Sequence, residues 1–452
     1  MKNQGTYHIE NAGYQMYIRI LFLFSVILWT SCQPVKEPFL LLEFQSEVEV
    51  SNYSKSLFFA VTQPVDTGKT ILMGSRGDLF LLGEFLVQYR DTSIRKPLVV
   101  QETDSILFIN GKITSISLSG KNSEIAWMKD LLKQDLSALQ TVSITSDTIG
   151  ACLGDLKKLA AVRPDAGIVF SGEFNRLKEV LNIFHPPLIL SPSLHQSDYG
   201  LLAALPQLKI LIAEAVDSVM NEPLPAMPSL KQLVFTDLNQ HAVITGDLLV
   251  NNRQIEKIGL ANGGKLDLSF LRSLKNLREL VITQTDSLLN QEEINRHAEL
   301  EVLVLAGKQM KIDPSVIRLP HLRWLAIPAT VTQDEFNLLI KNHPGLEVVE
   351  IMNNDTISKL TALSGLPELT GLTLLDTVTD LQTVKTLKGL KYLSLPKTLL
   401  EDSLTRVELY QALPGTTIAA NEGFCMGSGW LLLLLPLVLI LRFGWRKRAN
   451  QG

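Results

Sequence analysis

Six phrases decide the fold: LRELVI (277–282), LEVLVL (300–305), LRWLAI (322–327), LEVVEI (346–351), LTGLTL (369–374) and LKYLSL (390–395). Each carries an apolar residue at its first, fourth and sixth positions. The phrases begin at Leu277, Leu300, Leu322, Leu346, Leu369 and Leu390, so the spacings are 23, 22, 24, 23 and 21 residues. Such a period fits a solenoid whose every turn is one strand and one return segment. No phrase could bury its leucines alone. Stacked turns can, because each covers its neighbour's apolar edge and a continuous core results.

In these residues the chain resembles the leucine-rich-repeat family, and the absence of cysteine-knotted caps makes it similar to the bacterial envelope type. The resemblance implies an α/β solenoid, a horseshoe with strands inside and helices outside. The template extends outward from the six phrases over 139–420. Leu139-Val142-Ile144 opens it, Leu208, Leu230 and Ile255 start clear matches, and Ile168-Val169-Phe170, Leu188-Ile189-Leu190 and Thr417-Ile418-Ala419 fill in as degenerate turns. About thirteen turns of roughly 23 residues result, giving an inner sheet roughly 58 Å long at about 4.8 Å per step. Between strands, Thr332 to Asn342 reads as an amphipathic helix with a capping box of Thr332 and Glu335. Asp286 to His297 reads as a similar helix. The family's asparagine, eight residues into each turn, appears only as Asn354; Thr285, Thr330, Thr377 and Thr398 take that place elsewhere. A threonine hydroxyl can also bond a neighbouring turn's backbone.

Upstream, residues 33–121 lose the period. LEFQSEVEV, SLFFAVT, LFLLGEFLVQY, SILFING and ITSISLS are β-rich, with a turn signal at Asn110-Gly111, and predict a small N-terminal β domain or cap. Residues 122–138 then have apolar positions at helical spacing (Ile125, Met128, Leu131, Leu132) and predict a capping helix.

The two ends are of another kind. Residues 1–32 end in a signal peptide, MYIRILFLFSVILWTSC from Met16 to Cys32, which places the true start at Met16. Its Thr30-Ser31-Cys32-Gln33 ending resembles a bacterial lipoprotein signal, which implies acylation of Cys32; simple cleavage nearby is the alternative. Residues 421–429 form a linker containing Cys425, Gly427, Ser428 and Gly429. The apolar run Trp430 to Leu441 follows, and counting 430–445 as a membrane helix leaves 446–452 as a basic tail, cytoplasmic by the positive-inside rule. Motif, helix and basic cluster together resemble bacterial tripartite sorting signals, which implies a sorting protease acting near Cys425; an unprocessed single-pass anchor is the alternative. The expected location is exported and membrane-anchored, at the cell envelope or surface.

The chain is 46% hydrophobic and 19% charged, with a formal charge of −4. Setting aside Lys2, Arg19, Arg442, Arg446, Lys447, Arg448 and Glu10 leaves Gln33 to Leu441 with 36 basic and 45 acidic residues, net −9. An acidic body argues against nucleic acid, whose binding depends on basic residues releasing counterions. Three cysteines, Cys32, Cys152 and Cys425, make no disulfide framework.

In each phrase the fourth and sixth residues point into the core, so the third, fifth and seventh line the concave side. That face gathers Val302, Val304, Trp324, Val348, Glu350, Met352 and Tyr392, an apolar patch of the kind that marks a binding site. The bland reading is that another part of the chain covers it. Gly68-Lys69-Thr70 lacks the glycine a phosphate loop requires, and Arg76-Gly77-Asp78 is a turn. The seven histidines form no pair at metal spacing on a helix, and neither a cofactor nor a nucleophile motif emerges. The expectation is therefore a binding protein, not an enzyme, that takes a protein, peptide or glycan on its concave face and meets membrane lipid at its ends. Two alternatives stand beside it: a β-helix enzyme acting on polysaccharide, and a spacer displaying the N-terminal domain.

Overall fold

The computed structural model describes strands at 40–44, 61–62, 70–74, 79–82, 85–88, 100–102 and 106–109, then residues 111–118 and 124–421 except 218, 239–242, 245, 263, 308, 352–353, 355 and 376–379. The signal peptide with Cys32, the tail with Cys425, Gly427, Ser428 and Gly429, Met352, Thr377, Gly68-Lys69 and Arg76-Gly77-Asp78 lie outside the described residues. Among those described, no helix is long and apolar enough to cross a membrane.

The centre of the molecule is a sheet of sixteen strands in chain order, from Val100–Glu102 to Thr417–Asn421. Its first three strands pair antiparallel, and from Lys112–Ser117 onward every further pairing is parallel. The repeat sets the register. Leu280 pairs with Leu303, Leu303 with Leu325, and the row continues through Val349, Leu372, Leu393 and Ile418. These residues join Leu277, Leu300, Leu322, Leu346, Leu369 and Leu390 in one core, closed on its far side by Phe336, Leu339, Val384 and Leu409 of the return segments. Each leucine so buried contributes about 1.5–3 kcal/mol. The architecture is a leucine-rich-repeat solenoid.

The parallel ladder starts one turn before Leu139. Lys112–Ser117 pairs parallel with Thr141–Thr145, and the helix Glu124–Leu131 runs between them in the chain. The Asn110-Gly111 signal holds: Ile109 pairs with Lys112, and Gly111 has φ +75°, which glycine adopts without penalty. Asp286 to His297 is not a helix of the expected kind. Ser287–Leu289 is a short strand, Asn290 turns left-handed at φ 56°, and Gln291–Arg296 forms only 3-10 turns. Acidic residues in a first turn suit an α-helix, but without a capping side chain at Asn290 the tighter form prevails.

Regular helices do occur on the return side, at Ile149–Val162, Gln333–Asn342 and Ser403–Ala412. They exclude the β-helix alternative, whose turns use strands and loops. Thr332 caps Gln333–Asn342 as its sequence foretold: its hydroxyl accepts from the Glu335 N–H, while the Glu335 carboxylate accepts from the Thr332 N–H at 2.8 Å. Thr332→Ala should cost about 1 kcal/mol in urea unfolding; an unchanged midpoint would show that core packing alone holds this turn.

Turns are also tied through side chains. Asn354 Nδ2 donates to the carbonyls of Pro328 (3.2 Å) and Val331 (2.7 Å), the family role expected of it. Thr330 donates to Met310 O of the preceding turn, whereas Thr285 reaches only Thr283 O within its own. Asn252, fully buried, does for its neighbour what Asn354 does, accepting from the Met227 N–H and donating to Pro225 O.

Upstream of the sheet, Leu40–Phe44, Thr70–Gly74 and Val61–Thr62 form a three-stranded antiparallel sheet, and Leu79–Leu82 pairs with Phe85–Gln88 as a hairpin. Val61–Thr62 lies against Thr417–Asn421, at one end of the large sheet. Phe85–Gln88 lies against Lys112–Ser117 and Thr141–Thr145, at the other.

Candidate recognition face

A strand sends alternate residues to opposite faces, so the residues between the core leucines form rows of their own. One row runs Lys257, Glu279, Val302, Trp324, Val348, Gly371, Tyr392 and Thr417. Its neighbour runs Gly259, Val281, Val304, Ala326, Glu350, Thr373, Ser394 and Ala419. The structure thus brings together six of the seven residues singled out from the sequence: Val302, Val304, Trp324, Val348, Glu350 and Tyr392.

Of the two readings of the patch, an exposed binding site and a face covered by another part of the chain, burial agrees with the second: Trp324 is 0% exposed and Val302, Val348 and Tyr392 are 1% exposed each. These residues stand on the side of the sheet turned away from the core and its return segments. One layer of strands cannot bury its own outer face, so the burial means the face is covered.

Charge is arranged along it. At one end Lys257 and Glu279 form an ion pair at 2.9 Å. Further along, Trp324 Nε1 donates to Glu350 Oε1 at 2.9 Å across two turns. Desolvation pushes the Glu350 carboxyl up to about 7, and the Trp324 hydrogen bond opposes that only in part. The face therefore holds an acid that is neutral at mildly acid pH inside an otherwise apolar stretch.

Two constellations were missed in the sequence. The first is a charge ladder at the second position of successive phrases: Lys231, Glu256, Arg278, Glu301, Arg323, Glu347. Lys231 meets Glu256 at 2.6 Å, Arg278 meets Glu301 at 3.5 Å, and Arg323 binds Glu301 at 2.9 Å and Glu347 through both nitrogens at 2.7 and 3.0 Å. Alternation of sign at one repeat position was the available signal. The second is His195, one turn from Glu173 and one from Asp217: its Nε2 reaches Glu173 Oε2 and its Nδ1 reaches Asp217 Oδ1, each at 3.0 Å. Hydrogen bonding to Asp217 outweighs desolvation and raises the His195 pKa, favouring the imidazolium. With both ring nitrogens engaged, His195 is a clamp across three turns rather than a ligand. Among the described residues no His, Cys, Asp and Glu group could hold a metal ion. His343 is likewise spoken for: buried and kept neutral by desolvation, it donates from Nδ1 to Leu339 O and accepts the Leu319 N–H at Nε2. Cys152 is buried.

No family model matches the chain, and no curated protein matches it. Among solved structures it is similar to an internalin of Listeria monocytogenes at 15% identity and TM-score 0.32, over 57% of this chain and 81% of that one. A leucine-rich-repeat protein of Leptospira interrogans gives 14% identity and TM-score 0.29, over 63% and 90%. A chain of the Toll–Spatzle complex of Drosophila gives 12% and 0.35, over 76% and 58%. At such scores the likenesses carry no argument of their own; the repeat geometry above carries the fold.

Proposed function

We propose that this protein is an extracytoplasmic recognition protein, held to a membrane through its ends, that binds a polypeptide on the concave face of its solenoid without catalysing a reaction. One observation supports the reading above others: a continuous apolar face, Val302, Val304, Trp324, Ala326, Val348 and Tyr392, that belongs to the sheet but not to the solenoid's own core. Core residues need such chemistry to hold turns together; these do not. Burial at a covered apolar surface is what gives an interface its affinity, with aromatic side chains contributing most. A polypeptide fits better than a glycan, because Glu350 is committed to Trp324 and few other acceptors interrupt the apolar run. Membrane attachment rests on the Met16 to Cys32 signal and on Trp430 to Leu441 with its basic cluster.

Peptide-display panning against the exported chain tests the binding reading. Enriched peptides should lose at least tenfold in affinity for a Val302→Thr, Val348→Thr double variant, which keeps side-chain shape while making the face polar. Equal affinity for that variant would move the site elsewhere. Intact-mass analysis of the protein from its native membrane tests the anchors: an acylated Cys32 or a retained tail supports attachment, and a chain lacking both refutes it.

A further inference from the structure

We propose that the last helix of the solenoid, Ser403–Ala412, rests on the lipid surface through Leu404, Val407 and Tyr410, so that the last turn is the end that meets the membrane. The proposal rests on the membrane attachment proposed above and names the residues that touch the lipid.

The stripe sets this helix apart. At about 100° per residue, Leu404, Val407 and Tyr410 fall within an arc of roughly 120°, and Val407 at its centre lies roughly 160° from Leu409, which the helix sends into the core. They are 74%, 50% and 45% exposed. A single exposed apolar side chain calls for no explanation, and the other long return-side helices carry one large one each, Val162 on Ile149–Val162 and Leu338 on Gln333–Asn342. Three on one face of a ten-residue helix do.

The charges nearby do not compete for that face. Asp402 caps the helix by accepting from the Leu404 and Thr405 N–H groups, and Glu408 pairs with Lys385 of the preceding turn at 2.5 Å. Glu401 and Arg406 are opposite in sign. No basic surplus remains to seek anionic headgroups, so the contact is apolar: a helix of this kind buries its apolar face about 5–10 Å into the boundary between headgroups and acyl chains. Tyrosine suits that depth, with its ring in the apolar layer and its hydroxyl toward water.

The length of chain beyond the last strand selects lipid as the occupant. Thr417–Asn421 ends the sheet, and Asn421 pairs with Pro396, immediately before the short helix Lys397–Glu401 that leads into Ser403–Ala412. The chain therefore leaves the sheet beside the start of the last helix, where Leu404 stands. Only residues 422–429 then separate Asn421 from the apolar run Trp430 to Leu441. Fully extended they span roughly 30 Å, so a run seated in the hydrocarbon keeps the last turn within that distance of the lipid surface. At such range a contact too weak to form between free partners is occupied, because the tether makes it intramolecular. A soluble partner or a second copy has no such tether.

Photo-crosslinking of the full chain reconstituted into phosphatidylcholine vesicles tests this, with p-benzoylphenylalanine in place of Val407 or, separately, of Val162. Val162 is equally exposed, at 52%, but belongs to a turn near the other end of the sheet. The Val407 position should give at least tenfold more phospholipid adduct than the Val162 position, and adding Leu404→Gln and Tyr410→Gln should remove most of it. Retention of the chain in the vesicles under alkaline carbonate is read in parallel. A retained chain whose Val407 position gives no more lipid adduct than Val162, or crosslinks instead to residues 422–452 or to a second copy, would overturn the lipid contact and leave the attachment standing. A chain that carbonate releases would overturn both.

Discussion

Replacing Arg323 with leucine should lower the free energy of unfolding by about 3 kcal/mol, read as a lower urea midpoint at constant slope. Arg323 is buried, and its guanidinium bridges Glu301 and Glu347 across three consecutive turns. Taking it away leaves two carboxylates without their main cation, Glu347 being nearly as buried as Arg323 itself. Glu301 is about a third exposed and keeps Arg278, so the cost sits at the lower end of the range for breaking a buried pair. Arg323→Lys should recover only part of the loss, because an ammonium cannot present the two-pronged fork that Glu347 receives. A full recovery would mean that net charge, not the fork, ties these turns together.

That ladder also shows where sequence reading reaches and where it stops. The core was legible because identical chemistry recurs at a fixed period: once Leu277, Leu280 and Ile282 define a phrase, Leu300, Leu303 and Leu305 must stack on them, and the pairing of Leu280 with Leu303 follows. The rows of the recognition face followed for the same reason, since a strand alternates faces. The Thr332 capping box was legible because it is local. Asp286 to His297 was misjudged because the deciding element is one backbone conformation, the left-handed Asn290, which the apolar and acidic pattern around it does not announce. The clamp of Glu173, His195 and Asp217 joins residues from three turns that carry no strong period of their own.

Whether the face is open was beyond the sequence for a deeper reason. Burial depends on which distant stretch packs there, and a stretch without the repeat carries no period to fix its partner.

Glu350→Gln should stabilise the protein by about 3 kcal/mol at pH 8 and leave it unchanged near pH 4. Burial lifts the folded-state pKa of Glu350 from the usual 4.5 to about 7. The folded chain therefore keeps a proton that the unfolded chain releases. Stability from this group is complete below pH 4.5, declines as pH rises from there through 7, and is flat above, where the carboxylate has to be buried charged. Glutamine removes the titration but keeps a side-chain oxygen to accept from Trp324 Nε1, so the hydrogen bond at 2.9 Å survives. Urea unfolding of both proteins at pH 4, 6 and 8 would read the difference, which should grow with pH. His343 and His297, held neutral by desolvation, weaken the fold as pH falls below 6.5, but identically in both proteins, so they cancel from the comparison. The same experiment reports on whether the face is shut off from water. Were water to reach Glu350, its pKa would return toward 4.5, and the glutamine variant would gain nothing at any pH.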